Sequence, residues 1–281
     1  MKKLRTSLNP SLLVGGIIVI IVLLMAIISL LWTPYDPITV HPADRLEGPG
    51  VHYILGTDRY GRDMLSMIMV GSRISILVGF IATIISLCFG SLLGLWAALG
   101  NKLGTVLILR GLDILIALPG VLFAIVLGAM FGSTTTTAMI AIGIAGIPAC
   151  ARIVRNSTRQ ILHQDYMDAA TLAGVGTMGK IWRHILPNIL GILLVHASTS
   201  FALAILAEAG LSFLGLGTAP PNPSWGRMLQ SAQGSLSSDP LLALWPGLAI
   251  ALTVLGFTLL GDGLRHYYDP RSSILGRRNA R

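Results

Sequence analysis

The stretch LLVGGIIVIIVLLMAIISLL, residues 12–31, contains fifteen Leu, Ile or Val and no charged residue. At roughly 0.3 to 0.6 kcal/mol for each such residue, insertion into a bilayer is favoured by about 4 to 9 kcal/mol. One helix of this length crosses the hydrocarbon core. The basic flank Met1–Arg5 would also suit a signal peptide, but such a peptide has a shorter apolar region followed by a small-residue cleavage site. WTPYDP follows here, so the segment is expected to stay as a membrane anchor.

The rest of the 281-residue chain agrees with a membrane protein. It is 53% hydrophobic and only 11% charged, well below the charge content of soluble domains. Cys88 and Cys150 both lie in apolar runs and are expected to be small buried hydrophobes. Further uncharged runs predict more spans. Ile74–Asn101 holds one, residues 114–151 hold two shorter helices with FGSTTTT as their turn, and Ile189–Ala207 and Leu241–Gly261 hold one each. The total is six.

Lys and Arg positions orient the spans, because basic loops stay in the cytoplasm. With the N-terminus inside, fifteen of the twenty basic residues fall on the inner side, among them Lys2, Lys3, Arg5, Arg152, Arg155, Arg271 and Arg277. Arg45, Arg59, Arg62, Arg73 and Arg227 fall outside, beside six acids. Both termini are therefore expected in the cytoplasm. The net charge of +8 reflects this topology. Its scatter over separate segments, without interleaved stacking aromatics, argues against a nucleic-acid partner. The expected organisation is an N-terminus at 1–11, a first span at 12–32, an outer segment at 33–73, a core at 74–264 and a C-terminal tail at 265–281. The outer segment is rich in Pro, Gly and charge, and SMIMVGSRIS within it reads as a short interfacial helix.

Residues 152–188 form the longest inner loop. Gly174, Gly176 and Gly179 give G-x-G-x-x-G, and Gly174 through Lys180 gives G-x-x-x-x-G-K. Neither match has its context. Ile181 follows Lys180 where a phosphate loop needs Ser or Thr for magnesium, and no buried strand precedes the glycines. A short helix from about Arg159 to Ala173 is expected instead, with Tyr166, Ala169, Ala170 and Ala173 along one small, close-fitting face. Gly174 and Gly176 end it, a second helix runs through about Trp182, and Pro187 stops that one before the next span.

Asp168-Ala169-Ala170, Gly174, and Leu186-Pro187 twelve residues later resemble the E-A-A loop of the membrane subunits of ATP-binding-cassette importers. The resemblance implies a coupling helix seated in a groove of a separate ATPase subunit. Tyr166, Asp168, Ala169, Ala170, Ala173, Gly174, Leu186 and Pro187 would be its coupling residues. Asp168 stands where the family usually has Glu, and His184 where it often has Ile. LGTDRYGRDMLSMIMVGSRIS (55–75), AEAGLSFLGLG (207–217), PNPSWGRML (221–229) and GDGLRHYYDPR (261–271) are similar to the second permease subunit of dipeptide, oligopeptide and nickel importers. Met67 occupies a position where that family often has Arg. The resemblance implies a type I importer permease fold in a prokaryotic inner membrane. It also implies as partners a homologous permease subunit, two ATPase subunits and an extracytoplasmic solute-binding protein, with lipid around the spans. No cofactor is expected on this chain. The cargo would be a peptide, glutathione, nickel or another chelate.

Ionisable residues inside spans count as functional candidates. Asp113 is expected to pair with Arg110 at i,i+3. Glu208, near the outer end of span five, suits either structural pairing or a gate, and Trp225 is carried with it as a pathway candidate. His196 is expected to hydrogen-bond between helices. No arrangement for nucleophilic catalysis and no metal-ligand spacing stands out, so an enzyme is not expected. The rival reading is a proton-coupled secondary carrier using Glu208 and Asp113. Such carriers tend to show internal repeats, and none is evident in the sequence.

Overall fold

The computed structural model describes residues 10–268, so the expectations for Lys2, Lys3, Arg5, Arg271, Arg277 and the C-terminal motif beyond Tyr268 lie outside the described residues. In chain order the helices are α1 (Pro10–Leu31), α2 (Met64–Leu99), α3 (Lys102–Ala117), α4 (Gly120–Phe131) and α5 (Thr135–Leu162). They continue as α6 (Asp165–Leu172), α7 (Thr177–Lys180), α8 (Leu186–Phe213), α9 (Trp225–Ala232) and α10 (Leu241–Tyr268). Five are long and apolar enough to cross a membrane: α1, α2, α5, α10 and a continuous run, Thr177–Phe213, that contains α7 and α8. The pair α3 and α4 makes a sixth candidate, bent by 85° at its break. The chain is an all-α multi-pass membrane protein.

α1 shows how these helices meet lipid. Its buried residues Gly15, Val19, Val22, Ala26 and Ser29 follow one stripe at helical spacing. Leu13, Ile17, Ile20, Ile21, Leu24 and Ile28 around them stay exposed on the protein surface. A helix apolar on every side, with one side packed, has lipid as its remaining solvent.

α2 starts ten residues before the expected span at Ile74, so SMIMVGSRIS is its first turns rather than a separate interfacial helix. The Asp63 carboxylate caps it, accepting the Ser66 amide at 2.8 Å and the Ser66 hydroxyl at 2.6 Å. Arg73 does not interrupt the helix because its Nε donates to Ser29 Oγ on α1 at 2.7 Å. The expected pair of helices within residues 114–151 is also revised. α3 begins at Lys102, capped by Asn101, and breaks at Leu118–Pro119, where proline both disfavours helix in its predecessor and starts the next one well. α5 continues past Arg152, Arg155 and Arg159 to Leu162, so the helix expected over Arg159–Ala173 is divided between α5 and α6.

Lipid offers little hydrophobic drive for helix association, so close packing has to supply it. The most extensive contact in the protein is between α2 and α5. A Cβ at Gly90 would lie 2.5 Å from Cys150 Cβ, and one at Gly94 would lie 2.5 Å from the Ala151 carbonyl oxygen. α10 packs between α1 and α8, with Phe201 and Phe257 stacked at 4.0 Å between ring centroids. Cys150 is buried as expected. Cys88, on α2, is exposed instead.

Candidate functional site

Two features combine into a candidate site: the α6–α7 segment that joins α5 to α8, and a cavity whose wall α8 helps to build. α6 ends in a tight, fully bonded cap. The Gly174 amide donates to the Thr171 carbonyl and the Val175 amide to the Ala170 carbonyl, both at 3.0 Å. This is the Schellman pattern, and it needs a left-handed residue at its turn; Gly174 supplies it at φ +76°. Nothing lies within 4 Å of where a Gly174 Cβ would be, so the space beside it is open.

The residues expected to share one face of α6 divide between surface and interior. Tyr166, Asp168, Ala169 and Ala173 are exposed, whereas Ala170 is buried beside Met167 and turns inward. Leu172, which the sequence reading passed over, is 90% exposed. Met178 and Trp182 are also exposed, and an open cleft of about 520 Å³ runs between Ala173, Gly174 and Trp182. The signal for these residues was present as large apolar side chains in a segment expected on the inner side, outside the spans.

Pro187 does not stop a helix as expected. Residues Ile181–Ile185 form a π-turn, in which the Leu186 amide reaches back to the Ile181 carbonyl, and the helix runs on from Thr177 to Phe213. A proline ring clashes with the carbonyl four residues earlier and brings no amide hydrogen. The wider turn gives that ring room, and Asn188 Nδ2 donates to the His184 carbonyl at 2.6 Å. The same amide group lies 3.4 Å from the Tyr166 hydroxyl, and the Tyr166 and His184 rings are 6.1 Å apart. Leu186 is half-buried and Pro187 exposed. α6 is thus tied directly to the base of α8.

Further along, α8 forms one wall of a cavity of about 700 Å³, with α2, α4 and α5 completing it. His196 and Ser200 lie on the α8 side, their Nε2 and Oγ atoms 3.3 Å apart. The His196 contact is therefore within one helix rather than between two. Thr83 and Ser86 on α2 also line the cavity, and both hydroxyls are buried without a hydrogen-bond partner. A buried hydroxyl is stabilised by finding a partner. The two residues contribute small polar side chains to the cavity wall, with their hydroxyl oxygens turned out of the open space. Sequence reasoning did not single them out; the small and polar run Gly79, Ala82, Thr83, Ser86, Gly90 was the available signal.

Glu208 and Trp225 lie elsewhere, and neither lines this cavity. Glu208 is fully buried, accepts a hydrogen bond from Ser212 Oγ at 2.6 Å, and has the Ser75, Thr218 and Ser224 hydroxyls as neighbours. Trp225 is also fully buried; its Nε1 donates to the Ile68 carbonyl at 3.0 Å and its ring lies over Gly71. Asp113 does not pair with Arg110. Arg152 on α5 donates to it at 2.7 Å, which joins α3 to α5. Asp113 is thus paired across to α5, Glu208 is held through Oε1 while its Oε2 is buried without a hydrogen-bond partner, and neither carboxylate lines the cavity.

Residues 90–274 match the family described as "Binding-protein-dependent transport system inner membrane component". The chain is 40% identical to a dipeptide transport system permease protein of Alkalihalophilus pseudofirmus, over 94% of this chain and 86% of that one. It is 40% identical to a di/tripeptide transport system permease protein of Pseudomonas aeruginosa, over 92% and 87% of the two chains. A glutathione transport system permease protein of Pectobacterium atrosepticum is 39% identical over 92% and 86%. With two-thirds of its length inside the family match and relatives aligned along nearly all of it, the chain belongs to the binding-protein-dependent inner membrane components, the permease subunits of ATP-binding-cassette importers.

Proposed function

We propose that this permease subunit carries short peptides inward, with the α6–α7 segment (165–187) as the handle through which separate ATPase subunits move it. Permease subunits of this family are not catalytic, and ATP hydrolysis resides in partner subunits. The observation that carries the reading is the physical line from handle to cavity. Exposed Tyr166, Ala169, Leu172 and Ala173 offer a small docking face, Tyr166 and His184 meet Asn188 and α6 at the base of α8, and α8 presents His196 and Ser200 to the cavity. A push on α6 reaches the cavity wall through packed groups, as alternating access requires.

The assembly in this reading has six spans, counting the bent α3–α4 pair as one, with both termini cytoplasmic. A homologous permease subunit completes the pathway, two ATPase subunits dock below and a solute-binding protein delivers from outside. Peptide is favoured by the relatives, whose names specify dipeptides and di- or tripeptides. The cavity chemistry agrees. Thr83, Ser86, His196 and Ser200 give the lining a neutral polar character that suits the amides every peptide shares, and among the described residues no Lys, Arg, Asp or Glu lines the cavity to select side-chain charge.

Replacing Ala173 by Arg on the open face tests the coupling role. Peptide uptake and peptide-stimulated ATP hydrolysis should both be lost while the chain still copurifies with its permease partner. Normal uptake by Ala173→Arg would overturn the assignment of the handle.

A further inference from the structure

A second, smaller cavity of about 340 Å³ lies between the 36–62 loop and the 220–231 segment. Its polar lining is dominated by three guanidinium groups, Arg59, Arg62 and Arg227. Arg62 is neutralised, because its Nε donates to Asp58 Oδ2 at 2.8 Å and the two form an i,i+4 ion pair. The other two are not. Among the described residues, no carboxylate pairs with Arg59 or Arg227. Arg59 packs over the Tyr60 ring at 4.7 Å, yet its Nε is buried with no hydrogen-bond partner.

Four acids of the same loops hold hydrogen bonds of their own. Asp36 accepts from the Ile38 amide and the Thr39 hydroxyl, Asp44 from the Tyr53 hydroxyl, Asp63 from Ser66, and Asp239 from the Leu241 amide. A buried guanidinium donor without an acceptor is costly, and the planar fork of Arg matches the geometry of carboxylate and phosphate groups bidentately. Its surroundings are rigid. The Arg59 carbonyl accepts from Arg45 Nε at 2.8 Å, the Asp58 carboxylate accepts the Tyr60 and Arg62 amides, and Ser224 Oγ caps α9 at the Arg227 amide.

We infer that Arg59 and Arg227 form a carboxylate-binding pocket that receives an acidic side chain of the docked solute-binding protein. The inference rests on the importer reading above, which places these loops on the outer face. Two observations favour a protein side chain over the transported solute. The pocket shares no lining residue with the 700 Å³ cavity, and it is walled entirely by loop segments, α9 and the start of α2 rather than by the middle of the spans. A group inserted here locks the delivering protein to the loops while its cargo is released elsewhere.

The test uses the complete importer, reconstituted in nanodiscs, with ATP hydrolysis followed as peptide-loaded binding protein is titrated. Arg59→Ala with Arg227→Ala should raise the half-maximal concentration of binding protein by about tenfold or more, since removing one partner of a desolvated charge pair weakens association at least that much. Hydrolysis without binding protein should be unchanged. Arg227→Gln alone, at a half-exposed position, should show a smaller shift in the same direction and Arg227→Lys a lesser one still. If the double variant does not assemble, the Arg227→Gln titration decides. An unchanged half-maximal concentration in a variant that assembles overturns the pocket. So does a wild-type importer that loses stimulation when the peptide is C-terminally amidated while the variants are indifferent to amidation, because the site would then hold the solute's own carboxylate. Failure of the wild-type complex to respond to any loaded binding protein would instead refute the importer reading.

Discussion

The Ser212 hydroxyl donates to Glu208 Oε1 at 2.6 Å and accepts the Thr218 amide at 3.0 Å, so one side chain joins the buried carboxyl of α8 to the loop that follows it. α8 closes just beyond, where the Leu216 amide donates to the Leu211 carbonyl at 2.8 Å and Gly215 takes φ +80°. Glu208 is the anchor of this loop, and the loop leads to α9 and Trp225.

An anchoring role and a proton-relay role separate on one substitution. Glu208→Gln keeps an acceptor for Ser212 and places an amide among the Ser75, Thr218 and Ser224 hydroxyls, so assembly and peptide uptake should be retained. Glu208→Ala leaves Ser212 without its acceptor and should lower stability by about 1 to 3 kcal/mol. Thermal denaturation in detergent, read beside uptake, checks both. Loss of uptake in a stable Glu208→Gln protein would return the carboxylate to a titrating role.

Gly174 gives a second discrimination. Its φ of +76° makes Ala cost about 1 kcal/mol or more at this cap, while Asn and Asp tolerate the left-handed region better. No neighbour obstructs the added side chain within the subunit. Gly174→Asn and Gly174→Asp have the same shape and differ in charge. Asp should abolish uptake with membrane insertion intact, and Asn should retain part of it. Equal loss in both would show that the docked surface excludes any side chain there, and normal uptake by Gly174→Asp would remove this glycine from the coupling face.

The Asp113–Arg152 pair is half-exposed on both sides, so its loss should cost at most about 1 kcal/mol. Asp113→Asn should therefore leave uptake close to normal, and Asp113→Arg with Arg152→Asp should restore whatever the single changes lose. Uptake measured across this set of variants would contradict the structural role if Asp113→Asn alone stopped transport.

Alkaline pH reports on the loop before α2. The Tyr53 hydroxyl donates to the Asp44 carboxylate at 2.8 Å, and this bond beside a negative charge pushes the Tyr53 pKa up to about 12, from an ordinary value of about 10. The folded loop holds its proton more tightly than the unfolded chain, so the contribution is complete below about pH 10 and is lost as pH rises through the folded value. Comparing wild type with Tyr53→Phe, the wild type should lose stability more steeply between those values. Parallel melting curves would show that the hydrogen bond is not maintained.

What could be read from the sequence followed from local composition. Fifteen aliphatic residues among twenty announce α1 whatever it packs against, and Gly174 at the end of an alanine-rich turn announces a cap. The pairing of Asp113 was beyond such reading, because Arg110 is close in sequence while Arg152 comes close only when α3 lies on α5. The π-turn was hidden for a related reason. A proline suggests a stop, and only the geometry of Ile181–Ile185 shows the helix absorbing it. Leu118-Pro119-Gly120 did carry the signal for the break in the third span, but the absence of charge around it favoured an unbroken reading. The two cavities are built by residues far apart in the chain, so neither was foreseeable from composition.

The absorbed proline has a mechanical result. The run Thr177–Phe213 has 37 residues, so at 1.5 Å per residue the rod is about 55 Å long, against a hydrocarbon core of about 30 Å. The rod exceeds the core by some 25 Å in all, and tilting an arm of that length by about 5° would displace its tip by about 2 Å. Had Pro187 ended the helix, the same displacement would have been spent bending a loop. The chain instead has a lever, with its short arm at Met178 and Trp182 and its long arm carrying the cavity wall.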